Sequence, residues 1–393
     1  SYNGESGIVI AQSRNRDDDD DTSKIKMRIT NNITYGNINK IVYFNPQYDC
    51  ETNSSYDPNK DSYACGGRNK IVDGSGCYIT RNAYDNSDVN GSNPNYGIHG
   101  DYNGGFLFAN NVSYANGMNG VVVHKTDDAK VYNNTVYENG QVPSEADSDW
   151  VSAGNHTYES SEGSGSSWKT PLSSGRQNYT GIVVHSSSNV NIYNNISFAK
   201  NSNDHAYVNF VESDWSVSSV NFGSNKNIAG SGTNVAGGNQ SLSASDFITS
   251  NGQFINADDN NLSNRDYKLS SSWSDAIDAA DASYSPENDL SGINRPQGNS
   301  DDIGAYELSN HWDGSESQAW NTSGNWGLNV VPTADKSPVI ENTGNSPVIS
   351  SSVDVRDLTV KSGASLTIDG TLTIHGTLTN SGTITVNGTV TVD

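Results

Sequence analysis

Three short segments that begin with glycine carry side chains able to move protons. They are Gly97-Ile-His-Gly-Asp101, Gly120-Val-Val-Val-His124 and Gly181-Ile-Val-Val-His185. Imidazoles change charge near neutral pH, and a neighbouring carboxylate tunes their pKa, so such a group suits general acid–base catalysis. Surface histidines without a role fit the same pattern. Whether these histidines take part in catalysis or only lie at the surface depends on where the secondary structure places them.

These segments belong to a repeat of short strands. Each copy has a strand, a turn containing asparagine and a second strand. The copies cover 26–37, 106–116, 130–139 and 191–201, with a weaker one at 77–86. The glycine-initiated segments add a third strand, and the unit that begins at Gly120 is about 22 residues long. This pattern predicts an all-β fold, a right-handed parallel β-helix whose stacked asparagines hydrogen-bond between coils.

The predicted solenoid would bring the chemical side chains together. Side chains alternate inward and outward along a strand, and equivalent positions on successive coils lie about 4.8 Å apart. Superposing the three initial glycines places Asp101, His124 and His185 in one outward, exposed column, with His99 beside it and Lys125 at its end. We therefore expect His124 to act as base or acid with His99 as its partner, and Lys125 to neutralise a substrate carboxylate.

Two long polar insertions, 45–68 and 141–179, interrupt the coils on either side of this column. Insertions in solenoids collect on the binding face. The longer one offers aromatic rings that stack on sugars and cations that pair with carboxylate or sulfate groups. With Arg81, the expected substrate-binding residues are Trp150, Tyr158, Trp168, Lys169 and Arg176. Arg176 is an alternative to Lys125 as the neutralising cation, and a mobile Ser/Gly loop is the alternative interpretation of the insertion.

The charge balance excludes some partners. Asp+Glu 45 against Lys+Arg 22 gives a formal net charge of −23, which disfavours nucleic acid and anionic membrane surfaces. No run approaches the roughly 18 apolar residues of a membrane helix, so no membrane insertion is expected. The expected partner is an acidic polysaccharide, and the expected state is a monomer. Calcium is a candidate ligand without assigned residues, because the acidic run Asp17–Asp21 also suits a solvated loop.

The cysteines are compatible with export, and the sequence starts within a coil. Cys50 and Cys65 bracket a polar loop and could form a disulfide in an exported protein, whereas Cys77 lies in an apolar strand and is expected to be a buried thiol. Ser1 opens in the middle of a coil, so we expect further coils before it. A secreted or cell-surface protein is the expectation.

The last coils of the repeat carry a family resemblance. They read Phe254-Ile-Asn-Ala-Asp-Asp, Asp266-Tyr-Lys-Leu-Ser-Ser, Asp275-Ala-Ile-Asp-Ala and Asp302-Ile-Gly-Ala-Tyr-Glu-Leu308. This series resembles the end of secreted bacterial β-helix proteins of the pectate-lyase-like superfamily, and the resemblance covers most of residues 1–308. It implies a β-helix catalytic domain over 1–308. The superfamily contains lyases, hydrolases, epimerases and fibres without activity, so the resemblance does not fix the reaction.

Residues 309–393 are expected to form a separate module. Trp312 and the run Trp320-Asn-Thr-Ser-Gly-Asn-Trp326 resemble a module common in surface and secreted proteins of flavobacteria. From Gly370 onward, glycines recur about every six residues between alternating polar and apolar residues, which predicts a small β-solenoid. Its expected role is that of a spacer or cap, with carbohydrate binding as the alternative.

Three functions fit these residues. Similarity to β-helix polysaccharide lyases favours β-elimination in a uronate-containing polymer, with or without sulfate groups. This reaction needs a base, an acid and a cation that neutralises the uronate carboxylate. A glycoside hydrolase would need two carboxylates roughly 5–9.5 Å apart, for which Asp101 with Asp73 or Asp127 would serve. A binding or adhesive protein would use the same cleft without turnover. The lyase is our expectation.

Overall fold

The computed structural model describes residues 6–11, 13, 24–37, 70–71, 74–83, 102, 104–117, 119–140, 157–158, 170–171, 179–199, 204–211, 215, 217–230, 234–240 and 242–393. The chain divides into two compact units, residues 1–251 with 259–265 and residues 252–258 with 266–393. This division lies earlier than the boundary at residue 308 expected from the sequence, because the segment before residue 308 bonds to the C-terminal module. Nζ of Lys336 donates to the Pro296 carbonyl (2.6 Å), and the Ser337 N–H donates to Oε1 of Gln297 (2.8 Å).

The first unit is built from three parallel sheets, which we name A, B and C. Sheet A contains Ile8–Ala11, Cys77–Thr80, Val121–His124, Tyr179–His185, His205–Phe210 and Asn234–Gly238. Sheet B contains Ile25–Thr30, Gly105–Ala109, Ala129–Tyr132, Val190–Tyr193 and Val220–Phe222. Sheet C contains Ile33–Tyr35, Val112–Tyr114, Thr135–Tyr137, Ile196–Phe198, Ile228–Gly230 and Ile248–Ser250. Neighbouring strands come from successive coils and run parallel, so the predicted all-β parallel β-helix is confirmed.

Alternate side chains of the strands form one core inside the solenoid. In the coil of residues 121–137, Val121 and Val123 of sheet A, Val131 of sheet B and Val136 of sheet C are fully buried. Each coil therefore contributes only a thin apolar stripe. A chain with 33% hydrophobic residues can fill such a core, although that fraction is low for a globular domain.

One asparagine of each predicted pair forms a buried ladder at the turn between sheets B and C. Nδ2 of Asn111 donates to Oδ1 of Asn134 (2.9 Å), and Nδ2 of Asn134 donates to Oδ1 of Asn195 (2.9 Å). The ladder continues to Asn32 at one end and Asn227 at the other. The predicted bonding of asparagines from coil to coil is confirmed. A second ladder, after sheet C, joins Asn37, Asn116 and Asn139.

The other asparagine of each pair bends the backbone. Asn31, Asn110, Asn133 and Asn194 all have positive φ, from 51° at Asn133 to 61° at Asn31. Asparagine tolerates this left-handed region better than most residues, because its short side chain can bond locally. The Asn-Asn motif thus divides two tasks: the first residue turns the chain and the second bonds the next coil.

The second unit contains short strands and a three-sided solenoid. An antiparallel pair joins Phe254–Asn256 to Asp266–Leu269. The three sheets of the solenoid consist of His311–Trp312, Val339–Ile340, Leu358–Val360 and Leu378–Asn380; of Val348–Ile349, Ser365–Ile368 and Thr383–Val386; and of Ser352–Val355, Thr371–Ile374 and Thr389–Val392. Trp312, Trp320 and Trp326 are its largest buried side chains, and each is at most 1% exposed. The predicted small β-repeat module is therefore present.

A buried polar network holds the segment before residue 308. Arg295 donates to Oε2 of Glu307 at 2.7 Å, and both side chains are at most 1% exposed. Glu307 also accepts the backbone N–H groups of Gln297 (2.8 Å) and Asp302 (2.9 Å). Burial raises the pKa of Glu307 to about 7, although the Arg295 charge opposes that shift. Burial and the charge of Glu307 raise the pKa of Asp302 as well.

The remaining described elements are short. Four 3₁₀ turns cover Ala244–Asp246, Leu262–Asn264, Ala282–Tyr284 and Ser323–Asn325. Thr157–Tyr158 pairs with Lys70–Ile71 and Thr170–Pro171. Within the described part of the chain, no helix has the length and apolar content to cross a membrane. Cys77 is a buried free thiol, as expected, and burial raises its pKa; Cys50, Cys65 and the acidic run Asp17–Asp21 lie outside the described residues.

Candidate functional site

The two histidines that end strands of sheet A lie side by side. His124 and His185 are register partners in adjacent strands, and their ring centroids are 4.6 Å apart. They alternate with Val123 and Val184, which point into the core, so both imidazoles lie on the outer face of the solenoid. The sequence-based expectation that these two histidines stack on consecutive coils matches this register.

Two hydroxyl groups from the preceding coil contact His124. The Tyr78 hydroxyl lies 3.0 Å from Nδ1 of His124, and Oγ1 of Thr80 lies 2.7 Å from the same nitrogen. The Tyr78 and His124 rings are almost parallel, with an interplanar angle of 5°. When Nδ1 carries no proton, these hydroxyls donate to it. The arrangement is a short proton path from a phenol to an imidazole.

Thr80 occupies the position that the sequence alignment gave to Asp101. Cys77–Thr80 pairs directly with Val121–His124, so the neighbours of His124 in its column are Thr80 and His185. Thr80 therefore takes the place next to His124 that the sequence alignment assigned to Asp101. Asp101 and His99 themselves lie outside the described residues.

The outer face of sheet A is buried around His124, which corrects the expected exposed column. His124 is 0% exposed, and beside it Val122, Val183 and Val208 form a second buried cluster. Tyr78, His185 and Phe210 are half-buried. Solvent or a ligand thus reaches the edge of this group, at the phenol and the second imidazole, and does not reach His124 directly.

Two cations stand at the corner next to the histidines. Arg81 and Lys125 follow Thr80 and His124 on adjacent coils, with φ of 55° and 44°. The Arg81 N–H donates to the His124 carbonyl at 3.0 Å, which fixes this corner. Nζ of Lys125 lies 5.1 Å from the centre of the Trp215 ring, and Trp215 is half-buried. Lys125 is buried, at 9% exposure, and Arg81 is half-buried, so the corner combines a largely enclosed positive charge with an aromatic ring.

The other predicted site residues are described only in part. Trp150, Trp168, Lys169 and Arg176 lie outside the described residues. Tyr158 lies in the two-residue strand Thr157–Tyr158, of which only the backbone is described. The binding cleft predicted from the insertion at 141–179 therefore stays a prediction.

Asp127 is the described member of the pairs considered for glycoside hydrolysis. Its Oδ1 accepts the Ser188 N–H at 2.8 Å. Burial raises the pKa of Asp127, and the neighbouring charge of Asp128 acts in the same direction. The proposed partners Asp73 and Asp101 lie outside the described residues, so the carboxylate separation that a hydrolase requires stays untested.

The described residues provide no group of three or more His, Cys, Asp or Glu side chains arranged to hold a metal ion. Oxygen ligands for calcium would come from such a group. No step proposed below uses calcium.

Tyr78, Thr80, Phe210 and Trp215 were missed from the sequence. Tyr78 and Thr80 could have been found from Gly76, because Gly76 precedes Cys77–Thr80 in the same way as Gly120 precedes Val121–His124. A Cβ at Gly76 would come within 1.8 Å of Oγ of Ser113, and one at Gly120 within 2.1 Å of Cγ1 of Val136. Close approach between the sheets thus requires glycine at this column, and Gly76 belongs to it.

In the comparison with known proteins, the C-terminal region matches a family model. Residues 311–393 match the family model of a domain of unknown function (DUF8693). No curated protein matches the chain, and no solved structure matches it. The β-helix that carries the histidine cluster is therefore interpreted from its own residues, and residues 311–393 are similar to a family whose role is not established.

Proposed function

We propose that this protein is a secreted polysaccharide lyase that cleaves an acidic, uronate-containing polysaccharide by β-elimination. One observation carries the proposal: the Tyr78 phenol and the His124 and His185 imidazoles lie in contact with one another at one corner of the β-helix. The cations Arg81 and Lys125 lie beside them. β-Elimination needs these groups, since a base removes the proton α to the carboxylate, a cation stabilises the enolate-like charge, and an acid protonates the leaving oxygen. The resemblance to the pectate-lyase-like superfamily supports this reaction class.

Burial assigns the roles within the group. Because His124 is fully buried, we assign direct proton transfer to the half-buried Tyr78 and His185. His124 is a positioning residue: its Nδ1 receives the Tyr78 hydroxyl proton and so assists the phenol as a base. His185 then serves as the acid for the leaving oxygen. This assignment replaces the sequence-based one, in which His124 itself contacted substrate.

The conformation of the corner supports a role for the cations. A left-handed conformation costs a residue with a Cβ about 1–2 kcal/mol, and asparagine or glycine bears it best. Asn31, Asn110 and Asn133 follow this rule at another corner of the same solenoid. Lys125 and Arg81 do not, and neither do Ala115 and Glu138 at the corner after sheet C, so what distinguishes Lys125 and Arg81 is their positive charge beside His124. Arg81 is half-buried and can pair with a uronate carboxylate directly, whereas the buried Lys125 adds positive charge on the next coil.

The activity test is a panel of purified polymers. Polygalacturonate, alginate, ulvan and a sulfated glucuronan are incubated with the full chain, and two products are measured: the ultraviolet absorbance of unsaturated uronate and new reducing ends. Both signals together are the expected result. Reducing ends without the absorbance would replace the lyase with a hydrolase, and binding without either product would replace it with a non-catalytic carbohydrate-binding protein.

Two variants test the assigned residues. Tyr78→Phe keeps the ring beside His124 and removes the hydroxyl, so kcat should fall roughly 10²-fold or more with little change in KM. Lys125→Asn should preserve or raise stability, because asparagine suits φ 44°, yet lower kcat/KM strongly. Glu138→Asn is the matched control, because Glu138 has φ 46° at a different corner, after sheet C. Equal activity in Lys125→Asn and Glu138→Asn would overturn the assigned role of Lys125.

A further inference from the structure

The outer faces of the three β-helix sheets differ in their access to solvent. On sheet A, Val122 and Val208 are at most 5% exposed, and on sheet C the outward Val112, Ile196 and Ile228 are fully buried. On sheet B, Arg28 and Asn221 are exposed at the two ends of one outward row. The end residues Val9 of sheet A and Ile33 of sheet C are also exposed, but the middle residues of this sheet B row are all half-buried, so sheet B has the most open outer face among the described residues.

The open face of sheet B carries a row of polar and cationic residues. Strand pairing aligns Arg28 with Leu107, Leu107 with Lys130 and Lys130 with Asn191, and the row ends at Asn221. Arg28 and Lys130 are thus two coils apart, or about 9–10 Å. Leu107, Lys130 and Asn191 are half-buried, so the middle of the row is partly accessible to solvent.

Further lysines precede the row on its first strand. Lys26 lies two residues before Arg28, and the Lys26 side chain passes close to Gly104. A Cβ added at Gly104 would come within 2.6 Å of Cδ of Lys26. Lys24, two residues earlier, is exposed. Asp128, which is half-buried, is the carboxylate whose charge interacts with Lys130. The face concentrates positive charge on a chain whose formal net charge is −23.

Tyrosines and amides adjoin the cations. Tyr132 and Tyr193 are register partners in the next outward row, with ring centroids 6.2 Å apart in an edge-to-face arrangement. Nδ2 of Asn221 donates to the Tyr193 hydroxyl at 2.7 Å, which orients the half-buried ring. Aromatic rings pack on the apolar faces of sugars, and amides bond to sugar hydroxyls.

We propose that the outer face of sheet B is a second, non-catalytic binding surface for a linear anionic polysaccharide. Arg28 and Lys130 contact its carboxylate or sulfate groups, and Tyr193 with the asparagines contacts its sugar rings. An anionic polymer is repelled by most of this acidic chain and attracted to its few basic patches. Nucleic acid fits less well, because backbone binding depends on many cations and here a strongly negative chain surrounds a few.

The experiment measures binding and does not depend on turnover. The full chain is run in native gels that contain polygalacturonate, alginate or neutral dextran, and retardation gives the dissociation constant. Arg28→Glu/Lys130→Glu should weaken binding to the anionic polymers about tenfold and leave dextran unaffected. Arg356→Glu/Lys361→Glu is the control with equal net-charge change, made at exposed positions of the C-terminal module. It should leave the affinity within about twofold.

A second variant distinguishes sugar recognition from general attraction to polyanions. Tyr193→Ala should weaken binding to polygalacturonate several-fold and leave the residual binding of double-stranded DNA unchanged. Equal losses in the two charge-reversal pairs, or DNA bound as tightly as polygalacturonate, would overturn the proposal. If the protein lacks lyase activity but shows this pattern, the catalytic assignment fails and the binding surface stands. If lyase activity is present and the sheet B variants bind normally, the binding surface fails and the catalytic assignment stands.

Discussion

The β-helix and the C-terminal solenoid both stack parallel strands, but they make their corners from different residues. In the β-helix, glycines such as Gly76 and Gly120 lie where strands of sheet A begin, but the corners after sheets A and B contain residues with side chains in the left-handed conformation, and buried asparagines bond one coil to the next. In the C-terminal solenoid, glycines occupy corners where the coils nearly touch: a Cβ at Gly388 would lie 2.0 Å from the Gly370 carbonyl oxygen. A glycine corner presents no functional group. The β-helix corner holds Arg81 and Lys125, and this is why we place the chemistry there.

The largest effect should follow from cutting the asparagine ladder. Asn134 accepts two bonds from Asn111 and donates to Asn195 and to the Phe108 carbonyl. Asn134→Ala leaves several buried donors and acceptors without their hydrogen-bond partner, and each unsatisfied group costs about 1–3 kcal/mol. We expect the free energy of unfolding of the β-helix to fall by about 3–5 kcal/mol, measured by hydrogen exchange of its strands.

The matched control lies in the C-terminal solenoid. Asn387 is exposed and donates one bond, to Asp369 at 2.8 Å. Asn387→Ala should change the stability of that solenoid by less than about 0.5 kcal/mol. Similar losses from the two substitutions would show that the ladder has no special role.

The next largest effect concerns pH and the second unit. The pKa of Glu307 is raised to about 7 by burial, so the folded protein holds a proton that the unfolded chain releases near the ordinary value of 4.5. This contribution to stability is complete below pH 4.5 and is lost as pH rises to about 7. We expect the second unit to be about 2–3 kcal/mol less stable at pH 8 than at pH 4.5 from this group. Denaturant unfolding followed by tryptophan fluorescence measures the difference.

Glu307→Gln removes the titrating group and keeps the size of the side chain. The pH dependence between 4.5 and 7 should become shallower in this variant, with a remainder from Asp302, whose pKa is also raised. An unchanged slope would mean that Glu307 stays ionised beside Arg295 in the folded protein.

The sequence predicted the architecture well because its signals are local. Paired asparagines and strand-length apolar runs recur within each coil, so both the β-helix and the bonding of Asn111 to Asn134 could be inferred. The pairing of His124 with His185 followed from the same period. Tyr78 and Thr80 were missed because residues 77–86 were aligned with the copies that form sheets B and C, and Gly97 was taken in place of Gly76; the pairing of Cys77–Thr80 with Val121–His124 decides between them.

The burial of His124 could not be predicted from the repeat. A repeat fixes whether a side chain points into or out of the solenoid. Whether the outer face is open depends on contacts that the period does not encode. Val122 and Val183 point away from the core and are nevertheless at most 5% exposed. Outward therefore does not mean exposed in this protein, and the assignment of proton transfer to Tyr78 and His185 rests on that difference.

The smallest effect tests that distinction with two reciprocal substitutions. Val122→Thr places a hydroxyl on the outer but buried face of sheet A, and it should cost about 1–2 kcal/mol because the group is desolvated there. Thr385→Val makes the opposite change at an exposed outward position of the C-terminal solenoid and should stay within about 0.5 kcal/mol. Hydrogen exchange within each unit measures both. If Val122→Thr were as mild as Thr385→Val, the outer face of sheet A would be open to solvent, and His124 would return as the residue that contacts substrate.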